Sequence, residues 1–228
     1  MPFHRVNRIA LLLQAWLLGD VAMPQNSDSK LNLKLINSNE VCPVCCEPCL
    51  SGMRCGSCRF NPPSYDSTRV VACLNDDLSR SIHGFKYHED LAYARVFADL
   101  MVEHIDFSGI EVLLPVPAHP LRRRQRGYNQ AAELTRQLGK TLHIPVVSGA
   151  LKRVKPTPSQ TRLSRSQRER NLKGAFAVNM AQLAGCRSIA LIDDVITTGA
   201  TMQALAKQMK KAMPDIRIEA LALAKTMK

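Results

Sequence analysis

Residues 189–201 read IALIDDVITTGAT, an order of residue types that could bind a phosphorylated sugar. Ile189 to Ile192 are apolar and β-branched enough to predict a short strand. Asp193 and Asp194 follow as adjacent carboxylates, able to accept hydrogen bonds from the vicinal hydroxyls of a ribose. Val195 and Ile196 are expected to carry the chain out of the strand into a small, hydroxyl-rich turn of Thr197, Thr198, Gly199, Ala200 and Thr201. Gly199 lets the backbone turn tightly and approach a ligand closely. Met202, Leu205, Ala206, Met209 and Met213 then recur at helical spacing. The N-terminus of such a helix offers unpaired N–H groups and the positive end of the helix dipole, which suits a phosphate. An isolated acidic pair would read as a buried strand with an acidic cap before an ordinary helix. The whole pattern favours the ligand reading.

A second constellation is built from sulfur. Of eight cysteines, six lie between positions 42 and 58. Cys42-Pro-Val-Cys45 and Cys55-Gly-Ser-Cys58 are two CxxC knuckles, an arrangement that suits tetrahedral zinc held by four thiolates. Four thiolates leave no open coordination position, so the metal would be structural. The segment is too short to build a core of its own, and metal binding would supply most of its folding energy. Cys46-Glu-Pro-Cys49 is also a CxxC and could replace the first knuckle. A disulfide framework is the competing reading, and it requires an exported chain. Cys73 and Cys186 stand alone and read as small core residues.

The chain has 228 residues, enough for one sizeable core with a small appendage. Its formal net charge of +12 favours a polyanionic partner, nucleic acid or a phosphorylated ligand. No apolar run reaches the length of a transmembrane helix. Residues 1–8 are basic and residues 9–18 apolar, as at the start of a signal peptide, but Gln14, Asp20 and Met23 spoil that pattern. The expectation is a packed N-terminal helix and a cytoplasmic protein. Residues 24–39 are polar and read as a linker. The expected domains are residues 1–39, N-terminal helix and linker; 40–63, cysteine-rich module; and 64–228, the main domain.

The main domain must position the acidic pair and the turn. Residues 68–74 read as a strand. Leu78, Ile82 and Phe85 suggest a short helix ending near Gly84, with Lys86 fitting either a ligand contact or a solvated side chain. Ala94, Phe97, Ala98, Met101 and Ile105 mark an amphipathic helix. Residues 112–114 form a buried strand that ends in the proline-rich loop Pro115 to Pro120, where His119 reads as a surface residue. Four arginines follow in five positions, 122–126, before Gly127, and Asn129 could cap a helix carrying Ala132, Leu134 and Leu138. Residues 152–174 are a second basic stretch, and residues 217–223 a last strand. Strands alternating with helices imply an α/β, doubly wound, mostly parallel sheet. Ligands in such sheets bind outside the strands' carboxyl ends, where the 193–201 and 115–118 loops both emerge.

Residues 189–201 resemble the phosphoribosyl pyrophosphate (PRPP) motif of the type I phosphoribosyltransferases. With LLPVPAHP at 113–120, RGYNQ at 126–130, SQTRLSRSQRERNLKGAF at 159–176 and the preceding cysteines, the chain resembles the competence protein F family (ComF/GntX-like) over residues 40–228. That resemblance implies a type I phosphoribosyltransferase-like fold behind a small zinc ribbon at Cys42, Cys45, Cys55 and Cys58. It implies a pentosyl-transferring (glycosyltransferase) activity on PRPP with Mg²⁺, toward an acceptor that the sequence does not specify. Asp193 and Asp194 would take the ribose hydroxyls, and Val195, Thr197, Thr198, Gly199, Ala200 and Thr201 the 5′-phosphate. Val116, Pro117 and Ala118 would shape the pyrophosphate site, and Arg126 would stabilise the leaving pyrophosphate. The 152–174 stretch is the candidate for a loop closing over PRPP. The family's association with DNA uptake in natural transformation and with use of external DNA gives the alternative: a non-catalytic single-stranded DNA-binding factor that senses PRPP or a nucleotide. Proteins of the DNA-uptake machinery are further implied partners.

Overall fold

A computed structural model describes residues 32–87, 92–155, 172 and 174–227. The expected N-terminal helix and most of the second basic stretch lie outside the described residues. From Leu33 onward these residues belong to one compact unit. Its frame is a five-stranded sheet: β1 (Lys34–Leu35), β2 (Ser67–Cys73), β7 (Arg217–Lys225), β6 (Ser188–Ile196) and β3 (Val112–Pro115), in that spatial order. The pairs β2·β7, β7·β6 and β6·β3 are parallel, and only β1 runs antiparallel, at the edge. The α/β, mostly parallel architecture expected from the sequence is therefore present. A second, two-stranded antiparallel sheet pairs β4 (Leu151–Arg153) with β5 (Phe176–Val178), and Leu151 and Phe176 share a core with Met202 and Leu205.

The central strands are apolar on both faces, as parallel strands covered on both sides must be. All four residues of β3 are buried, and so are all of β7 after Arg217. Alternation along the strands splits the sheet into two faces. On one, Val70, Leu114, Leu191, Ile218 and Ala220 share a core with Met202, Leu205, Ala206 and Met209. Those last four residues belong to helix α6 (Ala200–Ala212). Cys42, Val44, Cys46 and Cys58 join the same core, so the cysteine-rich segment packs on the α6 face of the sheet.

The remaining helices connect the strands. They are α1 (Gly56–Phe60), α2 (Asp76–Tyr87), α3 (Ala92–His104), α4 (Pro120–Arg126) and α5 (Gln130–Leu142). Helix α3 packs on β2 and β7, α5 packs on β3 and β6, and the two helices touch each other. The buried residues of α3 include Ala94, Phe97, Ala98 and Met101, the face the sequence predicts.

Several expectations are corrected. Residues 34–35, read as linker, form the edge strand β1. Helix α2 runs past Gly84 to Tyr87. Strand β6 does not end at Ile192; Asp193, Val195 and Ile196 pair with Ala222, Ala224 and Lys225 of β7. Strand β7 continues to Lys225, because that lysine is buried and paired rather than solvated. The arginine-rich run is the short helix α4, which starts at Pro120 in the favoured first-turn position. His119 is its N-cap: the ring Nδ1 accepts from the Leu121 N–H at 3.1 Å, and the residue is buried rather than surface-exposed.

Candidate functional site

Extending β6 to Ile196 places both carboxylates inside the last pairs of the strand rather than on a loop. Successive side chains of a strand point to opposite faces, and the two aspartates accordingly have different surroundings. Asp194 is buried, and its Oδ2 lies 2.6 Å from the Lys86 Nζ. Asp193 lines a cavity of about 40 Å³ with Val195, Thr197, Thr198, Gly199 and Thr201. Each carboxylate also braces the backbone: Asp193 Oδ1 accepts from the Asp194 N–H and Asp194 Oδ1 from the Val195 N–H, both at 2.9 Å.

The electrostatics separate the pair further. Burial opposes ionisation of Asp194, but the Lys86 ammonium outweighs it and holds this carboxyl below its usual range. At Asp193 burial, reinforced by the negative charge of Asp194, pushes the pKa well above the usual range. Asp194 is thus the ionised member, and Asp193 the member that holds a proton most readily.

Lys86 was open to a solvated reading, and the structure removes it: the side chain is 24% exposed and pinned to Asp194. The residues that place it belong to the RGYNQ segment. Tyr128 Oη donates to the Phe85 carbonyl, and Gln130 Nε2 donates to the Lys86 carbonyl at 3.5 Å. Asn129 Nδ2 donates to the Val116 carbonyl at 3.1 Å instead of capping α5 with its side chain. Gly127 ends α4 at φ 75°, a left-handed position that favours glycine. Tyr128, Asn129 and Gln130 therefore clamp the end of α2 and the loop after β3. Arg126 is the last residue of α4, and its side chain lies outside what the structure describes.

The turn after β6 is shorter than expected, Thr197 to Gly199. Gly199 is the N-cap of α6 at φ 72°, and a Cβ added there would sit 3.0 Å from Tyr65 Oη. Helix α6 begins at Ala200, so Ala200 and Thr201 are its first residues rather than part of the turn. A larger cavity of about 190 Å³ lies beside the same helix start, lined by Asn61, Pro62, Pro63, Tyr65, Gln203 and Lys207 together with Thr198 to Ala200. The loop after β3 leaves the sheet next to β6, with the Val116 N–H donating to the Ile192 carbonyl at 2.9 Å. The Val116 side chain is buried in the core, while Pro117 and Ala118 are half-buried. The structure thus brings Asp193, Val195 and residues 197–201 around one cavity and sets the 116–118 loop on the neighbouring strand.

The cysteines converge as well. The Sγ atoms of Cys42, Cys45, Cys55 and Cys58 all lie within 4.8 Å of one another. Cys45 and Cys55 sulfurs are 3.6 Å apart, far too long for a disulfide. Around tetrahedral zinc, with Zn–S near 2.3 Å, sulfurs stand about 3.8 Å apart. The donor set fits a structural metal such as zinc. Burial works against the Cys42 thiolate, but the N–H groups of Cys55, Cys45 and Val44 outweigh it and bring the thiol down to about 7. The four-sulfur group does not include Cys46, which is buried in the core, or Cys49, whose thiol donates to the Met53 carbonyl at 2.9 Å.

Two residues near the site have no motif of their own. Lys225, at the end of β7, is 2% exposed and donates to Glu47 Oε1 at 2.7 Å and to the Thr197 carbonyl at 3.3 Å. A lysine closing an apolar run marks the end of a strand in a sequence, and a glutamate between two cysteines reads as filler.

Among the described residues, no helix is long and apolar enough to cross a membrane. No protein-family model matches the chain. The chain is 35% identical over 179 residues to competence protein F of Haemophilus influenzae, covering 75% of this chain and 78% of that protein. It is 31% identical over 175 residues to DNA utilization protein YhgH of Escherichia coli strain K12, covering 73% and 76%. Against competence protein ComFC of Bacillus subtilis the identity is 26% over 185 residues, covering 75% and 71%.

Proposed function

The chain belongs to the competence protein F family, and from that membership we propose that it binds PRPP at the carboxyl ends of β3 and β6 and serves DNA utilisation or competence. The observation that carries this reading is the passage from β6 to α6. A half-buried Asp193 that lines a cavity, the buried Asp194 beside it, a left-handed glycine and a helix N-terminus fall within nine residues, 193–201. A phosphate on the N–H groups of the turn and the first turn of α6 would be met by directed donors and the helix dipole. The ribose hydroxyls would donate to the carboxylates next to them. The 116–118 loop, one strand over, is the natural place for pyrophosphate, with the exposed Arg123 and Arg124 of α4 nearby in sequence. Mg²⁺ arriving with PRPP would be held by oxygen donors of PRPP and the carboxylates, and would neutralise pyrophosphate charge.

If turnover occurs, the reaction is phosphoribosyl transfer. The chain's own part is to hold the ribose, to bind the 5′-phosphate away from the reacting carbon, and to direct cations at the departing pyrophosphate. Lys86 keeps Asp194 ionised and so keeps one strong hydroxyl acceptor in place. The fold in this reading is of the type I phosphoribosyltransferase class with a zinc ribbon in front. Thermal unfolding with and without PRPP and Mg²⁺ tests it: at a hundredfold excess over Kd a site ligand stabilises by about 2.7 kcal/mol. An unchanged unfolding curve over a wide PRPP range would remove the proposal.

A second reading has its own observation. Phe60, just after the second knuckle, is 92% exposed, and its neighbours Arg54 and Arg59 are exposed too. An exposed aromatic ring among arginines suits stacking on single-stranded DNA. Phe176, the only aromatic residue near the second basic stretch, is buried. DNA affinity that falls steeply with salt and drops in Phe60→Ala would support this use of the surface. The two readings are compatible on one chain.

A further inference from the structure

We infer that Glu47 and Lys225 are positioning residues for the phosphate-binding turn, and that through them the four-cysteine knuckle is part of the ligand site rather than a separate appendage. This inference rests on the PRPP reading of the turn. A lysine ammonium that is 2% exposed needs strong partners. Lys225 has the Glu47 carboxylate at 2.7 Å and the Thr197 carbonyl at 3.3 Å. Glu47 is fixed from the other side as well: its backbone carbonyl accepts from the N–H of Cys42, a member of the thiol cluster, at 2.8 Å. An unbroken series of contacts therefore runs from the cluster, through Cys42, Glu47 and Lys225, to Thr197.

Thr197 is the first residue of the turn. Its peptide link to Thr198 is planar and trans, so the Thr197 carbonyl and the Thr198 N–H point in opposite directions. Holding the carbonyl against Lys225 sets the direction of the Thr198 N–H, a donor on a residue that lines both cavities. A second set of contacts supports the same coupling. The chain leaving the second knuckle packs on the turn and on α6: the Ser64 N–H donates to Gln203 Oε1 at 2.6 Å, and Tyr65 lies against Gly199. A knuckle that folds only around its metal would then shape the turn only when loaded.

Calorimetric titration of zinc-loaded protein with ribose 5-phosphate and, separately, inorganic pyrophosphate tests this. The variants are Glu47→Gln and the double variant Glu47→Gln/Lys225→Met, which removes both charges and leaves no buried ion unpaired. The control is Glu219→Gln, at the opposite end of the same strand, where Arg69 and Arg217 pair with Glu219. The expected result is a loss of about tenfold in ribose 5-phosphate affinity in both Glu47 variants, pyrophosphate affinity unchanged within about twofold, and zinc content unchanged. The Glu219→Gln control loses stability and keeps its ribose 5-phosphate affinity. Unchanged ribose 5-phosphate binding in a folded Glu47 variant overturns the inference and leaves the PRPP reading standing. Equal losses for both ligands, or an equal loss in the control, also overturn it, because they mark a general structural effect. A wild type that binds neither ligand brings down the PRPP reading and this inference together.

Discussion

Asp193 and Asp194 are the same residue type one position apart, yet the strand sends them to different surroundings, which shift their pKa values in opposite directions. Asp194 faces the Lys86 ammonium, and Asp193 shares its cavity with the turn. Their contributions to stability have opposite signs with pH. The folded-state pKa of Asp194 is depressed, so its contribution is complete above the unfolded value and is lost as pH falls through the folded value. The folded-state pKa of Asp193 is raised, so its contribution is complete below the unfolded value and is lost as pH rises through the folded one. Asp193→Asn is therefore expected to be more stable than wild type at neutral pH, with the gain shrinking in acid, while ligand binding falls. Asp194→Asn strips a charged hydrogen bond from Lys86 and should cost about 1.5–3 kcal/mol at neutral pH. Urea unfolding of both variants across pH measures this, and an Asp193→Asn variant destabilised at neutral pH would contradict the assignment. The sequence made the two carboxylates legible but not their division of labour. That division depends on Lys86, which is far away in the chain and held by carbonyl contacts from Tyr128 and Gln130 that no local pattern encodes.

At the scale of elements, the strand–turn–helix order around the site was readable from apolar runs, a glycine and helical spacing. The extents were less so. Strand β6 continues through Asp193 to Ile196 because β7 supplies partners out to Lys225, and pairing between strands leaves no trace in either one alone. The arginine run carried no expected secondary structure, and His119, Pro120 and Gly127 bound it as a short helix. Gly199 carries the sharpest prediction at this scale. Gly199→Ala forces a left-handed alanine, at about 1–2 kcal/mol, and adds a Cβ 3.0 Å from Tyr65 Oη. Gly127→Ala has a similar positive φ with open space around it, and should cost only the backbone share. Denaturant unfolding should rank Gly199→Ala below Gly127→Ala, and only the former should weaken phosphate binding. Equal costs would mean that Tyr65 yields freely. Tyr128→Phe should cost about 0.5–1.5 kcal/mol by freeing the Phe85 carbonyl, which the same unfolding experiment reads.

For the molecule as a whole, the alternation of strands and helices pointed to an α/β unit and the cysteine spacing to a four-cysteine cluster. They could not show that the cluster shares its core with α6, because Cys42, Val44, Cys46 and Cys58 look local in the chain and pack against strands far from them in sequence. Metal removal is therefore expected to lower the unfolding temperature of the entire described unit in a single transition, not to melt a separate module. Calorimetry of zinc-loaded and chelated protein reads this, and two independent transitions would contradict it. Should the DNA reading hold as well, affinity for a single strand will fall along a straight line in log salt. PRPP affinity is expected to depend more weakly on salt, because its anionic groups meet directed donors in a partly enclosed site.

The measurement that bears most directly on this account is an isothermal titration of PRPP with Mg²⁺ into zinc-loaded wild type and into the Asp193→Asn/Asp194→Asn variant. The account predicts saturable binding by the wild type and its loss in a variant whose unfolding transition remains cooperative. Absence of binding by the wild type, or equal binding by the folded variant, would contradict the assignment of residues 193–201 as the PRPP site.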